Sequence, residues 1–263
     1  MKFADAHVHL SDDEYSGRIS EILMEAKNSD VVAMVANSMN LSSCEKTLEL
    51  CKQNPGTIFA ALGIHPQCVK NLTSDELDQV LFLISAQKGN EDVVAVGEIG
   101  LDYKYSEVWK KQLKVFDTML HAAEKFPLPV VIHSREAASQ VVETLSSYNV
   151  KKVLLHWFSG SVKTLNDALD KGCYVSEGPA AVYIDPLRDI IKNVPMEKLL
   201  TETDGPVRFY KKPFEGKETT PALIPQVVAA ISEIKSINKE KVARQILENF
   251  EDFFDLKLKT VQP

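Results

Sequence analysis

Eight short, apolar, β-rich runs, separated by longer stretches of helical character, limit what this chain can fold into more than any other feature. The runs are Phe3–Ala6, Val31–Ala36, Ile58–Leu62, Val93–Val96, Val130–Ile132, Val153–Leu155, Tyr174–Ser176 and Leu199–Thr201. Several are apolar on consecutive rather than alternate residues, as a parallel strand covered on both faces is. The segments between them carry helix-start patterns. Ser42-x-x-Glu45 and Thr73-x-x-Glu76 fit capping boxes, while Asp185-Pro186 and Thr220-Pro221 place a capping residue before a proline suited to a first turn. A long helix is expected from near Glu107 through Ala123, and a last one from an Asn238 cap to about Phe250. Eight such alternations in 263 residues point to an α/β fold, a (β/α)8 TIM barrel, as one domain over residues 1–263. The rival is an open doubly wound sheet. Its dinucleotide-binding form loses support because no Gly-x-Gly-x-x-Gly follows the first run.

The composition permits this. Hydrophobic residues make up 44% of the chain, enough for a large core without disulfide staples. The formal net charge of −7 argues against an avid, non-specific binder of nucleic acid. It leaves a nuclease open, because bound divalent ions place positive charge at the active site alone. Cys44, Cys51, Cys68 and Cys173 form no Cys-x-x-Cys pair and read as reduced thiols of a cytosolic protein. The opening segment turns acidic at once, so no signal peptide is expected. Apolar runs such as Val31–Ala36 are far shorter than the roughly 20 residues of a membrane span. A cytoplasmic location with no membrane partner is therefore expected.

Five of the six histidines, all but His121, sit at or just beyond the ends of expected strands. In a (β/α)8 barrel those ends form the active-site face, so residues distant in sequence converge there. His7 and His9 are two apart on the first strand and share a face, half of a metal site. Glu98 follows the fourth strand between Gly97 and Gly100 and can bridge two cations, or pair with a nearby Lys or Arg. His133 and His156 end the fifth and sixth strands, and Asp204 closes the eighth before Gly205-Pro206. Singly, each has a plain structural reading: a satisfied core histidine, or a turn residue. Together, four histidines and two carboxylates at strand ends describe a site for divalent metal ions. His121 lies in a helical pattern and reads as structural or surface.

At this point the chain resembles the TatD family of metal-dependent deoxyribonucleases, among the amidohydrolase-like barrels. The matching motifs are Asp5-x-His7-x-His9, Gly63-Ile64-His65-Pro66, Gly97-Glu98-Ile99-Gly100-Leu101-Asp102, Ile132-His133-Ser134-Arg135, His156-x-Phe158-Ser159-Gly160 and Glu202-Thr203-Asp204-x-Pro206, with Gly216-Lys217-Glu218-x-x-Pro221 beyond them. They run in family order over about the first four fifths of the chain. The resemblance implies two divalent ions (Mg, Mn or Zn). His7, His9 and Asp204 would hold one, His133 and His156 the other, and Glu98 would bridge both. It implies hydrolysis of DNA phosphodiester bonds, as an exonuclease, by a water that the ions activate, with Glu98 and Asp204 catalytic. A hydrolase of a small-molecule ester, amide or phosphoester on the same metals is the alternative, since fold does not fix substrate.

His65 is expected to contact the substrate or else to stabilise its loop, and Arg135 to clamp a phosphate or else pair with a neighbouring acid. Arg208, Lys211, Lys212 and Lys217 can guide a polyanion, with Phe209 and Tyr210 stacking bases, or simply form a solvated loop. Trp157 either lines the pocket or packs in the barrel. Gln67, Met119 and the stretch 207–215 depart from the family pattern and are expected to border the substrate. No protein partner is implied, and a monomer suits an acidic barrel of this size.

Overall fold

The computed structural model describes residues 1–87 and 89–258. All eight expected strands form: β1 (Phe3–Val8), β2 (Val31–Asn37), β3 (Ile58–Leu62), β4 (Val93–Gly100), β5 (Val130–His133), β6 (Val153–Leu155), β7 (Tyr174–Glu177) and β8 (Leu199–Thr201). Five of them run past the apolar run that announces them, β4 by four residues. The added residues are largely polar or glycine and carry no hydrophobic pattern to be read. Neighbouring strands pair in chain order and every pair is parallel, as in a TIM barrel. The seam between β8 and β1 is closed by isolated bonds: Asp204 N–H to His7 O (2.9 Å), His9 N–H to Gly205 O (2.8 Å), and Thr201 Oγ1 to Ala4 O (3.0 Å).

The connecting helices are α1 (Ile19–Asn28), α2 (Leu41–Gln53), α3 (Ser74–Ala86), α4 (Trp109–Lys125), α5 (Ala138–Thr144), α6 (Val162–Asp170), α7 (Asp185–Asn193), α8 (Ile224–Lys235) and α9 (Lys239–Phe254). The Thr73/Glu76 capping box is present, with both reciprocal bonds. The Ser42/Glu45 box is not. Asn40 caps α2 instead, accepting from Ser43 N–H at 2.9 Å while the Ser43 hydroxyl accepts from Asn40 N–H. Asn and Ser three apart make the same reciprocal arrangement two residues upstream. Asp185 sits inside the first turn of α7, with Ile184 at the cap position and no side-chain cap. Thr220 precedes only a short 3-10 turn and caps nothing. Asn238 caps α9 as expected, accepting from the Glu240 and Lys241 amides.

Two cores result. The outer one fills the space between strands and helices and includes Phe116, Met119 and Ile231. Met119 is fully buried on α4, so it does not border the substrate: its side chain fills core volume behind the barrel wall. The inner core is built from small residues such as Ala4, Ala33, Ala61 and Ala95, closed at the N-terminal end of the strands by Phe250, Phe253 and Phe254 of α9. Each buried ring there contributes about 1.5–3 kcal/mol. With that end plugged, the other end is left for chemistry. Among the described residues no helix is long and apolar enough to cross a membrane.

Candidate metal centre

The donors expected from the sequence meet at the C-terminal ends of the strands. His7 and His9 come from β1 and its end, Glu98 from β4, His133 from β5, His156 from just past β6, and Asp204 from just past β8. The pairing register shifts in β1 between Asp5 and Val8, and in β4 between Val96 and Ile99. Such irregularities re-aim side chains, and here both fall on donor-bearing segments. Asp204 and Trp157 hold left-handed backbones (φ 52° and 38°), which cost a non-glycine residue energy and recur at functional sites. Gly100, at φ 141°, permits another close approach: a Cβ there would lie 2.0 Å from His133 O.

Three overlapping sets of donor atoms lie close enough to share an ion: His7, His9 and Asp204; His7, Glu98 and His156; and His65, Glu98 and His133. Around the two oxygens of Glu98 they sort into two groups. In the first, Nε2 of His7 and of His9 each lie 3.3 Å from Glu98 Oε2 and 3.4 Å from Asp204 Oδ1, and 3.3 Å from one another. Ligands about 2.0–2.1 Å from a tetrahedral ion stand about 3.3–3.4 Å apart, so this group has the spacing of such corners. In the second, Glu98 Oε1 lies 2.9 Å from His133 Nδ1 and 2.7 Å from His156 Nε2, themselves 3.3 Å apart.

The outer partners assign the protons. His9 Nδ1 faces Asn37 O at 3.0 Å, and His133 Nε2 faces Asp102 Oδ2 at 2.9 Å. Both partners only accept, so the ring protons sit there and the inward nitrogens present lone pairs. His156 Nδ1 lies 3.5 Å from Glu202 Oε1 without a hydrogen bond between them. Glu98, 1% exposed, therefore meets lone pairs of His9 at Oε2 and of His133 at Oε1, and neither oxygen accepts a well-formed hydrogen bond; the N–H nearest to it, from His65, stands 3.3 Å from Oε1. Protonating the rings instead would set like charges 3.3 Å apart in a dry site. Cations between these atoms resolve the conflict, and the donors fit divalent metal ions.

His65 is arranged differently. Its Nδ1 accepts from the Gln67 backbone amide at 3.1 Å, so its proton is on Nε2, 3.3 Å from Glu98 Oε1. It offers an N–H where its neighbours offer lone pairs, and burial first of all pushes its pKa down to about 4. A neutral donor of this kind suits an anionic oxygen better than a cation.

Two carboxylates that the sequence reading quoted without a role prove structural to the site. Asp102 is fully buried and binds His133, Arg135 Nε (3.1 Å), Arg135 Nη2 (2.8 Å) and the Lys104 amide (2.8 Å). Burial raises its pKa, but the bonds from His133 and Arg135 outweigh that and hold it down at about 2. Asp5 accepts from the Thr203 amide and hydroxyl and the His7 amide, tying β1 to the Asp204 turn. Burial drives it up to about 8 against those bonds. Glu177 is buried with no partner at either oxygen, and burial raises it well above the ordinary range.

The donors open into a cleft of about 880 Å³. Gln67, Trp157, Arg208 and Tyr210 line it, as do Lys104, Tyr105 and Arg135. Arg135 is thus both ion-paired to Asp102 and at the cleft wall. Phe209 is buried, so it cannot stack bases; its ring packs between Trp157 and Phe214. His121 is exposed on α4, away from the donors.

Comparison with known proteins bears on the family and the fold. The profile of the family described as TatD related DNase matches residues 4–255. The uncharacterized metal-dependent hydrolase YabD of Bacillus subtilis is 29% identical, over 95% of this chain and 98% of its own. The human deoxyribonuclease TATDN3 is 27% identical, over 93% of this chain and 92% of its own. The crystal structure of the Escherichia coli TatD homologue YJJV superposes with a TM-score of 0.90 at 26% identity, covering 97% of this chain and 98% of that one.

Proposed function

This chain belongs to the TatD related DNase family of metal-dependent hydrolases, and on that premise we propose that it is a deoxyribonuclease cutting DNA phosphodiester bonds from an end. One observation carries the reading: the buried Glu98 carboxylate faces imidazole lone pairs at both oxygens and so calls for two cations, one on each side. His7, His9, Asp204 and Glu98 would hold one ion, and Glu98, His133 and His156 the other. Ions so placed, when bound, lower the pKa of water and neutralise charge on a phosphoryl group.

The remaining work falls to this chain's residues. Glu98 fixes the spacing of the two positions through its two oxygens. The second oxygen of Asp204 is free to orient the attacking water and to take its proton. The His65 Nε2–H points into the same space and binds a phosphoryl oxygen. Arg135, kept in place by Asp102, offers its remaining N–H groups to the adjacent phosphate. Lys104 and Arg208 supply further positive charge on the cleft wall, and Tyr105 and Trp157 supply aromatic faces, a mixture suited to single strands. The name of the human relative supports DNA as substrate.

A second reading has one observation in its favour. The cleft volume lies within the range of small-molecule pockets, so a small phosphoester, ester or amide is also accommodated. End-labelled single-stranded DNA offered to metal-stripped protein, with and without Mn²⁺ or Mg²⁺, separates the two. Stepwise shortening that requires metal supports the nuclease. No cleavage under any metal, with metal demonstrably bound, transfers the proposal to the small-molecule hydrolase.

A further inference from the structure

The segment after β8 is split between anchors and free groups. Phe209 and Phe214 are 5% and 1% exposed, while Tyr210 between them is 81% exposed. Phe209 packs on the Trp157 ring at 5.7 Å, and Trp157 directly follows the metal donor His156. The Val207 amide bonds to Asp204 O at 3.0 Å. The segment is therefore fixed to the metal centre at both ends of its anchor, and its backbone presents Arg208 and Tyr210 to the cleft. An anchored aromatic ring in water gains free energy by meeting another flat apolar face, and every nucleobase has one.

Arg208 has one acidic partner among the described residues: Glu14, whose Oε2 lies 2.7 Å from its Nη2. Glu14 comes from the segment after β1 and also lines the cleft, so the pair spans its rim. Both side chains are about half exposed, and pairs of that kind are weak. A phosphate offers guanidinium more acceptor oxygens than this single contact does.

We propose that Arg208 and Tyr210 form a nucleotide subsite at the cleft rim. Tyr210 stacks on a base, and Arg208 binds the neighbouring phosphate, which displaces the Glu14 carboxylate. This rests on the nucleic-acid reading given above. Glu14 keeps Arg208 oriented in the absence of substrate and competes with it otherwise, so the two flanking residues have opposite effects. Losing Tyr210 weakens oligonucleotide binding, and neutralising Glu14 strengthens it. A small phosphodiester without bases gains little from the subsite.

The test compares wild type, Tyr210→Ala and Glu14→Gln, all loaded with Mn²⁺. Binding of a fluorescein-labelled, hydrolysis-resistant phosphorothioate DNA octamer is followed by anisotropy. Turnover of the unmodified octamer and of ethyl 4-nitrophenyl phosphate, whose single ring is the leaving group at the metal centre, is measured alongside. The expected result is a Kd about tenfold higher for Tyr210→Ala, the scale of one lost base stack, and a lower Kd for Glu14→Gln. The ratio of kcat/KM on the octamer to that on the small ester should move in the same directions. Unchanged Kd values, shifts of the same sign in both variants, or equal shifts on both substrates overturn the subsite. Wild type that binds the octamer but cuts no DNA overturns the nuclease, while the Kd values still decide the subsite.

Discussion

Asp102→Asn is the substitution whose effect the geometry specifies most closely. Asp102 Oδ2 accepts from His133 Nε2–H at 2.9 Å and also meets Arg135 Nη2 at 2.8 Å. Asparagine keeps one carbonyl oxygen, enough for the Lys104 amide and Arg135 Nε, but turns the other position into an N–H₂ donor. That donor faces two donors. His133 is relieved by moving its proton to Nδ1, the atom 2.9 Å from Glu98 Oε1, and so loses the lone pair it offers to a metal. Losing an outer partner of this kind costs about 10–100-fold in metal affinity, or about 1.4–2.7 kcal/mol. Only the position shared by Glu98, His133 and His156 is affected, because Asp102 touches none of His7, His9 and Asp204. The assay is competition for Zn²⁺ or Mn²⁺ against a chromophoric chelator, with thermal denaturation of the metal-free variant to confirm its fold. One weakened site beside one unchanged site is expected. Two unchanged affinities refute the assigned role of His133 Nδ1, and equal weakening at both refutes the division into two groups.

Other outcomes follow from the same geometry. Gly100→Ala forces a Cβ to within 2.0 Å of His133 O at φ 141°, and should cost more than about 3 kcal/mol in urea denaturation. Phe253→Ala opens the plug beneath the inner core and should cost about 3–5 kcal/mol by the same measurement. Chelation should lower Tm: an ion at a hundred times its Kd contributes about 2.7 kcal/mol, worth roughly 5–11 °C in a chain of this size, and readdition should restore it. Burial raises Asp255, but hydrogen bonds from Lys151 and Lys152 outweigh it and hold the carboxyl below its ordinary value. A lowered carboxylate stabilises above its unfolded pKa and loses that contribution as pH falls through the folded one. Asp255→Asn should therefore lower stability at neutral pH, leave it little changed at pH values below the folded pKa, and so flatten the acid limb of the stability–pH profile.

Much of this was legible in the sequence, and its failures have physical causes. The eight apolar runs located every strand, because strands covered on both faces must be apolar throughout. They stopped short in β4, where the chain continues into Gly97, Glu98 and Gly100, residues chosen for chemistry and close approach. The donors could be read because strand ends in a barrel converge whatever their distance in sequence. The partner of each donor could not be. Asp102 and Glu202 stand inside recognisable motifs, yet which imidazole nitrogen each one faces depends on ring orientation. Helix caps failed for a related reason: Asn40/Ser43 and Ser42/Glu45 overlap, and only the chain's path into α2 decides between them. Phe209 and Tyr210 are adjacent aromatics of equal promise on paper, and the packing of Trp157 and Phe214 buries one and exposes the other.

The most direct test is anomalous diffraction from crystals grown with Mn²⁺ or Zn²⁺. Two anomalous peaks are expected, one among His7, His9 and Asp204, the other between His133 and His156, each touching a different oxygen of Glu98. His65 should stand back from both. A single peak, or a peak bound to His65 Nε2, would contradict the bridged pair of ions.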